Sequence, residues 1–394
     1  MLLIDEVSIT IAIGAATATQ AGSTPTGSTP RESEVTNPAE QIRDIRRFIH
    51  LPFAYNHWYV AGTREEFGRT PKARTLLDRS VVFFRTEAAE LVALQNRCLH
   101  RSFPLSEGFV EGDQLVCRYH GIRYAATGSI ARVPSQEKCP GRKLRSYPVR
   151  EQGPFVFIWM GDEDHPGRRD AFPDLPFLAD PSYRSVFDAM RVESSYLLMM
   201  ENLSDLTHFA YLHKETFGVG DYFFDLEFTA EHTPEGVQCR FVDTDSDRAT
   251  RTLPPEVREK LQGRPAQKWE SNLMLSPGVC KGHAPVIVGD PESGDQEILE
   301  QYIMHFLTPE TPSTSHYWWS ISNDYALGND DYYRALKVVA TKGFEEDVWA
   351  CREMQAVLDA DGTEFGELSL PSDRAGWLFR RAMLDWVSSD RTPA

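Results

Sequence analysis

The sequence predicts an α+β protein in which a small all-β domain precedes a larger domain of antiparallel sheet with packed helices. From about residue 53 to residue 161, short apolar and β-branched runs are broken by Gly, Pro and Asp, which is typical of short strands joined by turns. After residue 195, strand-like runs alternate with segments of helical periodicity. A chain of 394 residues also exceeds one ordinary hydrophobic core, so two domains are expected.

The N-terminal extension, residues 1–43, is expected to lie outside both domains as a disordered or poorly ordered segment. Its apolar run, VSITIAIGAATATQ, lacks the basic residues that precede a secretory signal, and it is too short and too rich in Thr to span a bilayer. The next stretch, AGSTPTGSTPRESE, has the composition of a disordered linker. We therefore predict a cytoplasmic protein that does not bind a membrane.

The all-β domain is predicted over residues 44–165, with a leading helix. SVVFFRT, LVALQNRC and PFVFIWMGD are apolar runs of strand length. The stretch EDHPGRRDAFPDLP is rich in Pro and charge and marks the boundary.

The second domain is predicted over residues 166–394. The residues after Ser195 show the periodicity of a helix. A second, long helix is predicted over Asp331–Asp359, and Gly343 could interrupt it. Four runs between them look like strands of an antiparallel sheet: GVQCRFVDTDS, QKWESNLMLS, EILEQYIMHFLTPE and TSHYWWSIS. Helices packed on such a sheet make an α+β domain.

The charge and the cysteine content limit the partners and the compartment. The net charge of −17 repels phosphate backbones, so we predict no nucleic-acid partner. Six cysteines in a chain of this length do not form a disulfide framework, which favours a reducing compartment.

Two Cys–His pairs lie in the centre of the first domain, Cys98 with His100 and Cys117 with His120. A structural zinc is one interpretation, but zinc sites usually group two Cys apart from two His. Here each half supplies one thiolate and one imidazole, as C-x-H and C-x2-H, which suits a cluster with two different irons. We therefore predict a Rieske [2Fe–2S] centre, with two Cys on one iron and two His on the other, and zinc is the alternative.

The motif CLH…CRYHGIRY, followed by ATGSIARVPSQ, resembles the cluster domain of the Rieske non-haem iron oxygenases. The variant is that of the vanillate O-demethylase and dicamba monooxygenase type. Many ring-hydroxylating dioxygenases have Trp after YHG, where this chain has Ile122. The resemblance covers roughly residues 44–390 and implies a helix-grip-like second domain.

A second set of metal-binding residue types lies in ENLSDLTHFAYLH. Two His and one carboxylate form the facial triad of non-haem Fe(II) oxygenases. His213 lies about 140° round an ideal helix from His208, so both can bind one metal only if the helix ends or bulges between them. Either histidine alone would more often be a satisfied core residue.

The resemblance implies roles for the residues of this stretch. His208 and His213 would bind the mononuclear iron, with Asn202 beside it. Asp205 would hydrogen-bond to a cluster histidine of the neighbouring subunit.

The third iron ligand must come from far along the chain. KGFEEDVWACREMQ offers Glu345, Glu346 and Asp347. The ligand in the family is usually Asp, so we choose Asp347, and Glu346 is the alternative. All three acids could instead form a solvated helix face.

HFLTPETPSTSHYWW also resembles the demethylase branch, which places a substrate-side residue near its start. In a strand, His305 would share a face with Ile303 and Gln301. We predict that His305 contacts the substrate, where it could hold a carboxylate or a phenol, although a core histidine is an equal alternative. His283 and Asn323 are further candidates for substrate contact.

The resemblance implies the terminal oxygenase of a multicomponent monooxygenase, which uses O2 to hydroxylate or O- or N-demethylate an aromatic substrate. The chain has no flavin or nicotinamide fingerprint, so electrons from NAD(P)H must arrive through a separate reductase or ferredoxin. The family implies a head-to-tail homotrimer in which electrons pass from His120 through Asp205 of the next subunit.

Two other functions use the same motifs. One is a ring-hydroxylating, cis-dihydroxylating aromatic dioxygenase. Ile122 and the segment HFLTPET argue modestly against this function. The other is a Rieske electron-transfer protein whose second domain has lost its iron. The presence of both histidines and a late acidic pair argues against that loss.

Basic residues are concentrated around the first motif. Between Arg97 and Arg145 there are nine basic and four acidic residues, a net charge of +5 within a chain of −17. This segregation predicts a docking surface for an acidic electron donor beside the cluster.

Overall fold

The computed structural model describes residues 42–162, 164–165, 171–218, 220–290, 294–361 and 366–389. The predicted N-terminal extension lies outside the described residues except for its last two positions. The predicted boundary segment, residues 163–176, is described only in part. The limits of the two domains therefore stay predictions. Within the described ranges, no helix is long and apolar enough to cross a membrane.

Short strands in the first part of the described chain form three antiparallel sheets, in the orders β1–β10–β9, β2–β3–β4 and β5–β6–β7–β8. Central strands such as β3 and β10 are apolar over most of their length because both of their faces are covered. The strands are β1 (Trp58–Thr63), β2 (Lys72–Leu76), β3 (Arg79–Arg85), β4 (Leu91–Gln95), β5 (Phe109–Glu111), β6 (Gln114–Val116), β7 (Arg123–Tyr124), β8 (Ile130–Arg132), β9 (Val149–Gln152) and β10 (Phe155–Trp159).

The remaining strands of the described chain form one nine-stranded antiparallel sheet. Its order is β11–β19–β18–β15–β14–β13–β12, and β16 pairs with β14 and with β17. The strands are β11 (Arg184–Val192), β12 (Thr229–Thr233), β13 (Gly236–Asp243), β14 (Ala266–Ser276), β15 (Val279–His283), β16 (Val286–Val288), β17 (Glu297–Leu299), β18 (Gln301–Thr311) and β19 (Thr314–Asn323).

Helices cover one face of this large sheet. A shared apolar core joins them to it through buried side chains such as Trp319, Phe344 and Phe379. The helices are α1 (Ile45–Ile49), α2 (Tyr196–Ser204), α3 (Ser246–Thr250), α4 (Pro255–Lys260), α5 (Asp330–Ala360) and α6 (Arg374–Ser389). The predicted α+β fold class is thus confirmed.

Three local details differ from the prediction. The run EILEQYIMHFLTPE is not one strand, because the chain changes partner at Glu300, whose backbone N–H binds the Asp324 carboxylate, and β17 and β18 separate there. Strand β11 was missed, because this edge strand carries charged and half-buried residues. Gly343, named as a possible interruption, does not break the long helix, since α5 runs through it. A Cβ there would lie 2.3 Å from the Phe217 ring, so the glycine serves close packing.

Candidate metal centres and active site

The two Cys–His loops of the small domain have the same backbone design. Cys98 N–H binds the Phe103 carbonyl five residues on, and Cys117 N–H binds the Ile122 carbonyl in the same way. The residue before each of these carbonyls donates its own N–H back to the cysteine carbonyl: Ser102 to Cys98, and Gly121 to Cys117. Both residues have a left-handed backbone, with φ of 57° at Ser102 and 69° at Gly121. Each loop is therefore a tight turn that holds its Cys and His side chains in a fixed relation.

The four predicted cluster ligands pair by type. The Nδ1 atoms of His100 and His120 lie 3.2 Å apart on exposed rings. Cys98 and Cys117 are buried. Burial, and to a lesser extent the neighbouring Cys98 thiol, raises the pKa of Cys117. Among the described residues, only His208, His213 and Asp347 bring three possible ligand atoms within 4.8 Å of one another. The two Cys and two His of the small domain are therefore not arranged around a single ion. A pair of thiols and a pair of imidazoles fit the two irons of a Rieske cluster.

Tyr124 is a further residue of this site that was not predicted from the sequence. Its hydroxyl accepts the Leu99 backbone N–H at 3.0 Å and lies 3.2 Å from Cys98 Sγ. Because the oxygen already accepts a hydrogen bond, its own proton is available to the sulfur. Burial and the contact with Cys98 raise the pKa of Tyr124, which keeps that proton in place. In the sequence, Tyr124 looks like any aromatic residue of a short strand.

The mononuclear site is built where α2 stops. The helix ends at Ser204, and Asp205 has an extended backbone, with φ −104° and ψ 101°. Asp205 then caps a short 3₁₀ helix, Leu206–Ala210, by accepting hydrogen bonds from Thr207 N (2.8 Å) and Oγ1 (2.6 Å). His208 lies in this 3₁₀ helix and His213 in the turn after it. The change of backbone conformation brings the Nε2 atoms of the two histidines to 3.2 Å.

Asp347 completes the triad from α5. Its Oδ1 lies 3.4 Å from His208 Nε2 and 3.2 Å from His213 Nε2, and the residue is 3% exposed. Burial opposes its ionisation, but the hydrogen bonds from both histidines hold the pKa of Asp347 well below its ordinary range. Asn202 Nδ2 donates to the same oxygen at 2.8 Å. Two imidazoles and one carboxylate converging in this way fit a mononuclear Fe(II).

Glu346 occupies a different place from Asp347. Its Oε2 lies 2.9 Å from His213 Nδ1, on the far side of the ring, and accepts the Thr216 hydroxyl at 2.6 Å. A carboxylate at Nδ1 keeps a proton there, so Nε2 is the nitrogen that would bind a metal ion once it releases its own proton. Of the two neighbouring acids, Asp347 thus lies on the Nε2 side of His213, which faces the triad, and Glu346 lies on the opposite, Nδ1 side.

His208 differs from His213 in its outer contacts. Its Nδ1 is buried and has no hydrogen-bond partner among the described residues. Asp205, three residues earlier, directs Oδ1 at Thr207. The predicted bridge from Asp205 to a neighbouring subunit is not tested by a single chain and stays a prediction.

A cavity of about 250 Å³ opens on the triad. Its floor is one face of the large sheet, where alternate residues of β18 (Gln301, Ile303 and His305) and of β14 point into it. Most of its wall is apolar: Leu203, Leu206, Phe209, Phe217, Phe223, Leu226, Phe241, Ile321, Leu336, Val339, Ala340 and Phe344.

The three predicted substrate residues lie in different places. His305 lines the cavity, shares a face with Ile303 as expected, and has its Nδ1 2.6 Å from the Tyr317 hydroxyl. Burial lowers the pKa of His305 to about 4, so its ring is neutral near pH 7. His283 does not line this cavity and pairs with Glu300. Asn323 is buried behind the wall, where it donates to Tyr332. Their roles toward a substrate stay predictions.

Comparison with known protein families identifies both halves of the chain. The profile of the Rieske [2Fe-2S] domain matches residues 57–148, and that of the vanillate O-demethylase oxygenase C-terminal domain matches residues 192–389. The chain belongs to the Rieske non-haem iron oxygenases. The predicted family and its two iron cofactors are thereby confirmed, and zinc is no longer an alternative for the first site.

Individual relatives of this oxygenase agree. A putative toluene-4-sulfonate monooxygenase system iron-sulfur subunit of Comamonas testosteroni is 31% identical over 313 residues, which cover 77% of this chain and 88% of the relative. The oxygenase component of dicamba O-demethylase from Stenotrophomonas maltophilia is 28% identical over 81% of this chain and 94% of its own. The crystal structure of dicamba monooxygenase bound to dicamba superposes with a TM-score of 0.73 at 26% identity, covering 86% and 98% of the two chains. The protein is thus the oxygenase component of a multicomponent Rieske monooxygenase.

Proposed function

We propose that this oxygenase hydroxylates an O- or N-methyl group of an aromatic substrate, which leads to demethylation. The observation that carries the proposal is the aromatic-lined cavity that opens directly on the His208, His213 and Asp347 triad. A ring of six carbons packs well against Phe and Leu side chains, and aromatic pairs add to the burial. The relatives include proteins named vanillate O-demethylase, dicamba O-demethylase and chloroacetanilide N-alkylformylase.

The overall reaction balances as a monooxygenation. One oxygen atom of O2 enters the methyl C–H bond, the other leaves as water, and two electrons and two protons are consumed. The resulting hemiacetal or hemiaminal then loses formaldehyde and leaves the phenol or amine. When bound, the mononuclear iron supplies the activation of O2, and the cluster supplies electrons one at a time.

The residues of the chain position these parts. His208, His213 and Asp347 would hold the iron, and the Asn202 amide fixes the orientation of the Asp347 carboxylate. The apolar wall excludes water from the reacting end of the substrate. His305, neutral and held at Nδ1 by Tyr317, leaves its Nε2 for a hydrogen bond to a substrate oxygen.

We also propose that the active unit is a cytoplasmic head-to-tail homotrimer fed by a separate reductase or ferredoxin. Two features support electron transfer between copies. His100 and His120 are exposed, so a partner can approach the predicted cluster ligands. Tyr211, between the two iron ligands in the chain, is 75% exposed and contacts Phe224, which is also exposed. Such an apolar patch beside the iron motif suits a protein interface.

The alternative functions receive less support. A convergent triad argues against an electron-transfer protein that has lost its iron site. Ring cis-dihydroxylation would use the same metals, but no feature of the described residues favours it over attack on a methyl group.

The test is oxygen uptake and formaldehyde release by the purified oxygenase with NADH and a surrogate reductase, over a panel of methoxy- and N-methyl-arenes. We expect at least one member to give formaldehyde in proportion to oxygen consumed. Formation of cis-dihydrodiols without formaldehyde would replace demethylation by ring dihydroxylation.

A further inference from the structure

One part of the cavity wall consists of uncharged polar side chains that the proposed chemistry leaves unused. Gln301, the first residue of β18, lines the cavity together with Tyr332 from the first turn of α5. Gln301 and His305 lie on the same face of β18, about 13 Å apart at about 3.3 Å per residue. Burial lowers the pKa of His305 and the nearby Asp347 carboxylate opposes this, so His305 marks the end of the strand that lies towards the triad. Gln301 therefore lies at the end remote from it.

Two buried residues behind the wall fix the orientation of the Gln301 amide. Asn323 lies directly opposite Gln301 in the pairing of β18 with β19. Gln301 Nε2 donates to Asn323 Oδ1 at 3.1 Å and to the Tyr325 hydroxyl at 3.2 Å. Neither Asn323 nor Tyr325 lines the cavity. Both N–H groups of the amide are therefore used behind the wall. Its Oε1, which has no hydrogen-bond partner among the described residues, is the atom left to face the cavity.

The hydrogen bonds further behind the wall agree with this orientation. The Tyr332 hydroxyl donates to the Tyr325 hydroxyl at 3.5 Å, so Tyr332 accepts from Asn323, whose Nδ2 lies 3.3 Å away. Because its Nδ2 is used in this way, Asn323 offers only Oδ1 to Gln301. Burial raises the pKa of both Tyr325 and Tyr332, which keeps both phenols neutral near pH 7. Gln301 thus presents a neutral acceptor that a fixed network holds in place.

Charged residues also line the cavity, but outside the triad their charges cancel. Arg248 binds the Asp243 carboxylate at 2.8 Å and the Asp245 carboxylate at 3.3 Å. Lys268 Nζ lies 3.5 Å from Glu270 Oε2. Three cations stand against three carboxylates in this set, of which Asp245 alone does not line the cavity: Arg248, Arg251, Lys268, Asp243, Asp245 and Glu270. The formal charge of the set is zero, so it does not select an ionised ligand.

We propose that this oxygenase selects uncharged arenes with a hydrogen-bond donor at the end remote from the methyl group, and that Gln301 Oε1 accepts this hydrogen bond. The donor is a phenol O–H or an aniline or amide N–H. This inference rests on the proposed demethylation. A ligand that lacks the donor displaces water from Oε1 and leaves it without a partner, which weakens binding. A carboxylate in the same place would meet an oxygen acceptor and no net positive charge.

The experiment compares arenes of the same shape with and without the donor. The probe pairs are 4-methoxyphenol with 4-fluoroanisole, and 4-methoxyaniline with 4-methoxytoluene, and 4-methoxybenzoate is the anionic probe. Dissociation constants are measured by calorimetry on the iron-loaded oxygenase, and formaldehyde release is recorded for every probe. We expect the donor-bearing member of at least one pair to bind about 3- to 10-fold more tightly, the ratio for one net hydrogen bond between neutral groups. The benzoate should bind no more tightly than 4-methoxyphenol.

Three variants assign the preference to Gln301. Gln301→Met has a side chain of similar length without the amide, so it should abolish the ratio. Gln301→Glu keeps an acceptor oxygen and should retain a preference for the donor. Gln267→Met is the matched control, because Gln267 is half-buried on β14 and does not line the cavity. It should keep the ratio of the wild type. The comparison of probes in the wild type needs no variant, so it tests the inference even if Gln301→Met is unstable.

The results that overturn the inference are specific. They are equal affinity within both pairs in the wild type, tighter binding of the members without the donor, tightest binding of 4-methoxybenzoate, or no binding of any probe. A donor preference that survives in Gln301→Met also overturns it, because another group would then accept the hydrogen bond. Formaldehyde release without donor preference retains the proposed function alone, whereas donor preference without formaldehyde retains the site alone.

Discussion

At the scale of single residues, the two adjacent acids of α5 contact opposite sides of the His213 ring, a predicted iron ligand. Asp347 Oδ1 faces both histidine Nε2 atoms, whereas Glu346 contacts His213 from behind. Neighbouring positions on a helix point about 100° apart, so two adjacent acids cannot have the same role here. The acidic pair was recognisable in the sequence. Which acid faces Nε2 and which faces Nδ1 follows from where α5 crosses the end of α2.

The first prediction compares these two acids. Asp347→Ala should remove the mononuclear iron and lower the iron content from three atoms per chain to two, with the visible spectrum of the cluster intact. His208→Ala and His213→Ala should do the same. Glu346→Ala keeps all three ligands, so iron should remain but leave about 10- to 100-fold more readily in a chelator titration. If Glu346→Ala loses iron completely while Asp347→Ala keeps it, the assignment of ligand and support is reversed.

Tyr124 allows a second prediction at the residue scale. Its hydroxyl is positioned to donate to Cys98 Sγ, and such a bond stabilises the more negative, reduced cluster. Tyr124→Phe should lower the reduction potential by an amount on the order of tens of millivolts while the iron content is unchanged. A redox titration followed in the visible spectrum measures this. Tyr147→Phe, a buried change in a separate core cluster, is the control and should leave the potential in place.

At the scale of elements, the contact between α5 and the turn after His213 fixes the iron site. Gly343 lies in the buried face of α5, and Phe217 fills the space above it while packing on His213. In an exposed helix, Gly→Ala would stabilise the protein by about 1 kcal/mol. Here the new methyl group would meet Phe217 at 2.3 Å, so overpacking outweighs the gain in propensity.

The third prediction follows from this contact. Gly343→Ala should lower the free energy of unfolding by about 1–3 kcal/mol, measured in urea, and should weaken retention of the mononuclear iron. In a Phe217→Ala background the space is vacant, and the same change should become neutral or stabilising. If Gly343→Ala destabilises both backgrounds equally, Phe217 is not the source of the constraint.

The metal-binding motifs could be predicted from the sequence, whereas the tertiary contacts around them could not. The candidate cluster ligands Cys98, His100, Cys117 and His120 were recognisable because metal chemistry restricts residue type and spacing. The choice of His208, His213 and Asp347 as a triad rested on the resemblance to the family. The angle of about 140° between His208 and His213 predicted a helix end or bulge between them, and the 3₁₀ helix does end at Ala210, between the two. The earlier end of α2 at Ser204 was not predicted. By contrast, the tertiary packing of Gly343 and the hydroxyl contact of Tyr124 depend on residues distant in the chain and leave no local pattern.

At the scale of the whole molecule, the question is how electrons reach the buried triad. Asp205 Oδ1 caps the 3₁₀ helix that contains His208, a predicted iron ligand three residues further on. Asp205→Asn preserves an oxygen acceptor for Thr207 but removes the negative charge. We predict full occupancy of both metal centres and a loss of turnover of at least about tenfold.

Rapid-reaction kinetics locates the defect in Asp205→Asn. The cluster should still be reduced by its donor at the normal rate, whereas electron delivery for product formation should slow. Normal turnover in this variant would contradict the bridging role, and loss of iron would show that the charge is needed for the fold of the site.

The last prediction concerns docking of the electron donor. Arg118 follows Cys117, a predicted cluster ligand, and is exposed, whereas Arg123 is paired with Glu111 at 2.9 Å. Arg118 forms no ion pair within the part of the chain that the structure describes, so it should contribute more to the attraction of an acidic donor than Arg123. Arg118→Glu should slow cluster reduction severalfold at low salt, and the deficit should shrink as salt shortens the Debye length from about 10 Å at 0.1 M to about 3 Å at 1 M. Stopped-flow reduction measures both, with Arg258→Glu as the charge-matched control on α4. Rates that depend neither on Arg118 nor on salt would place the docking surface on another face of the oxygenase.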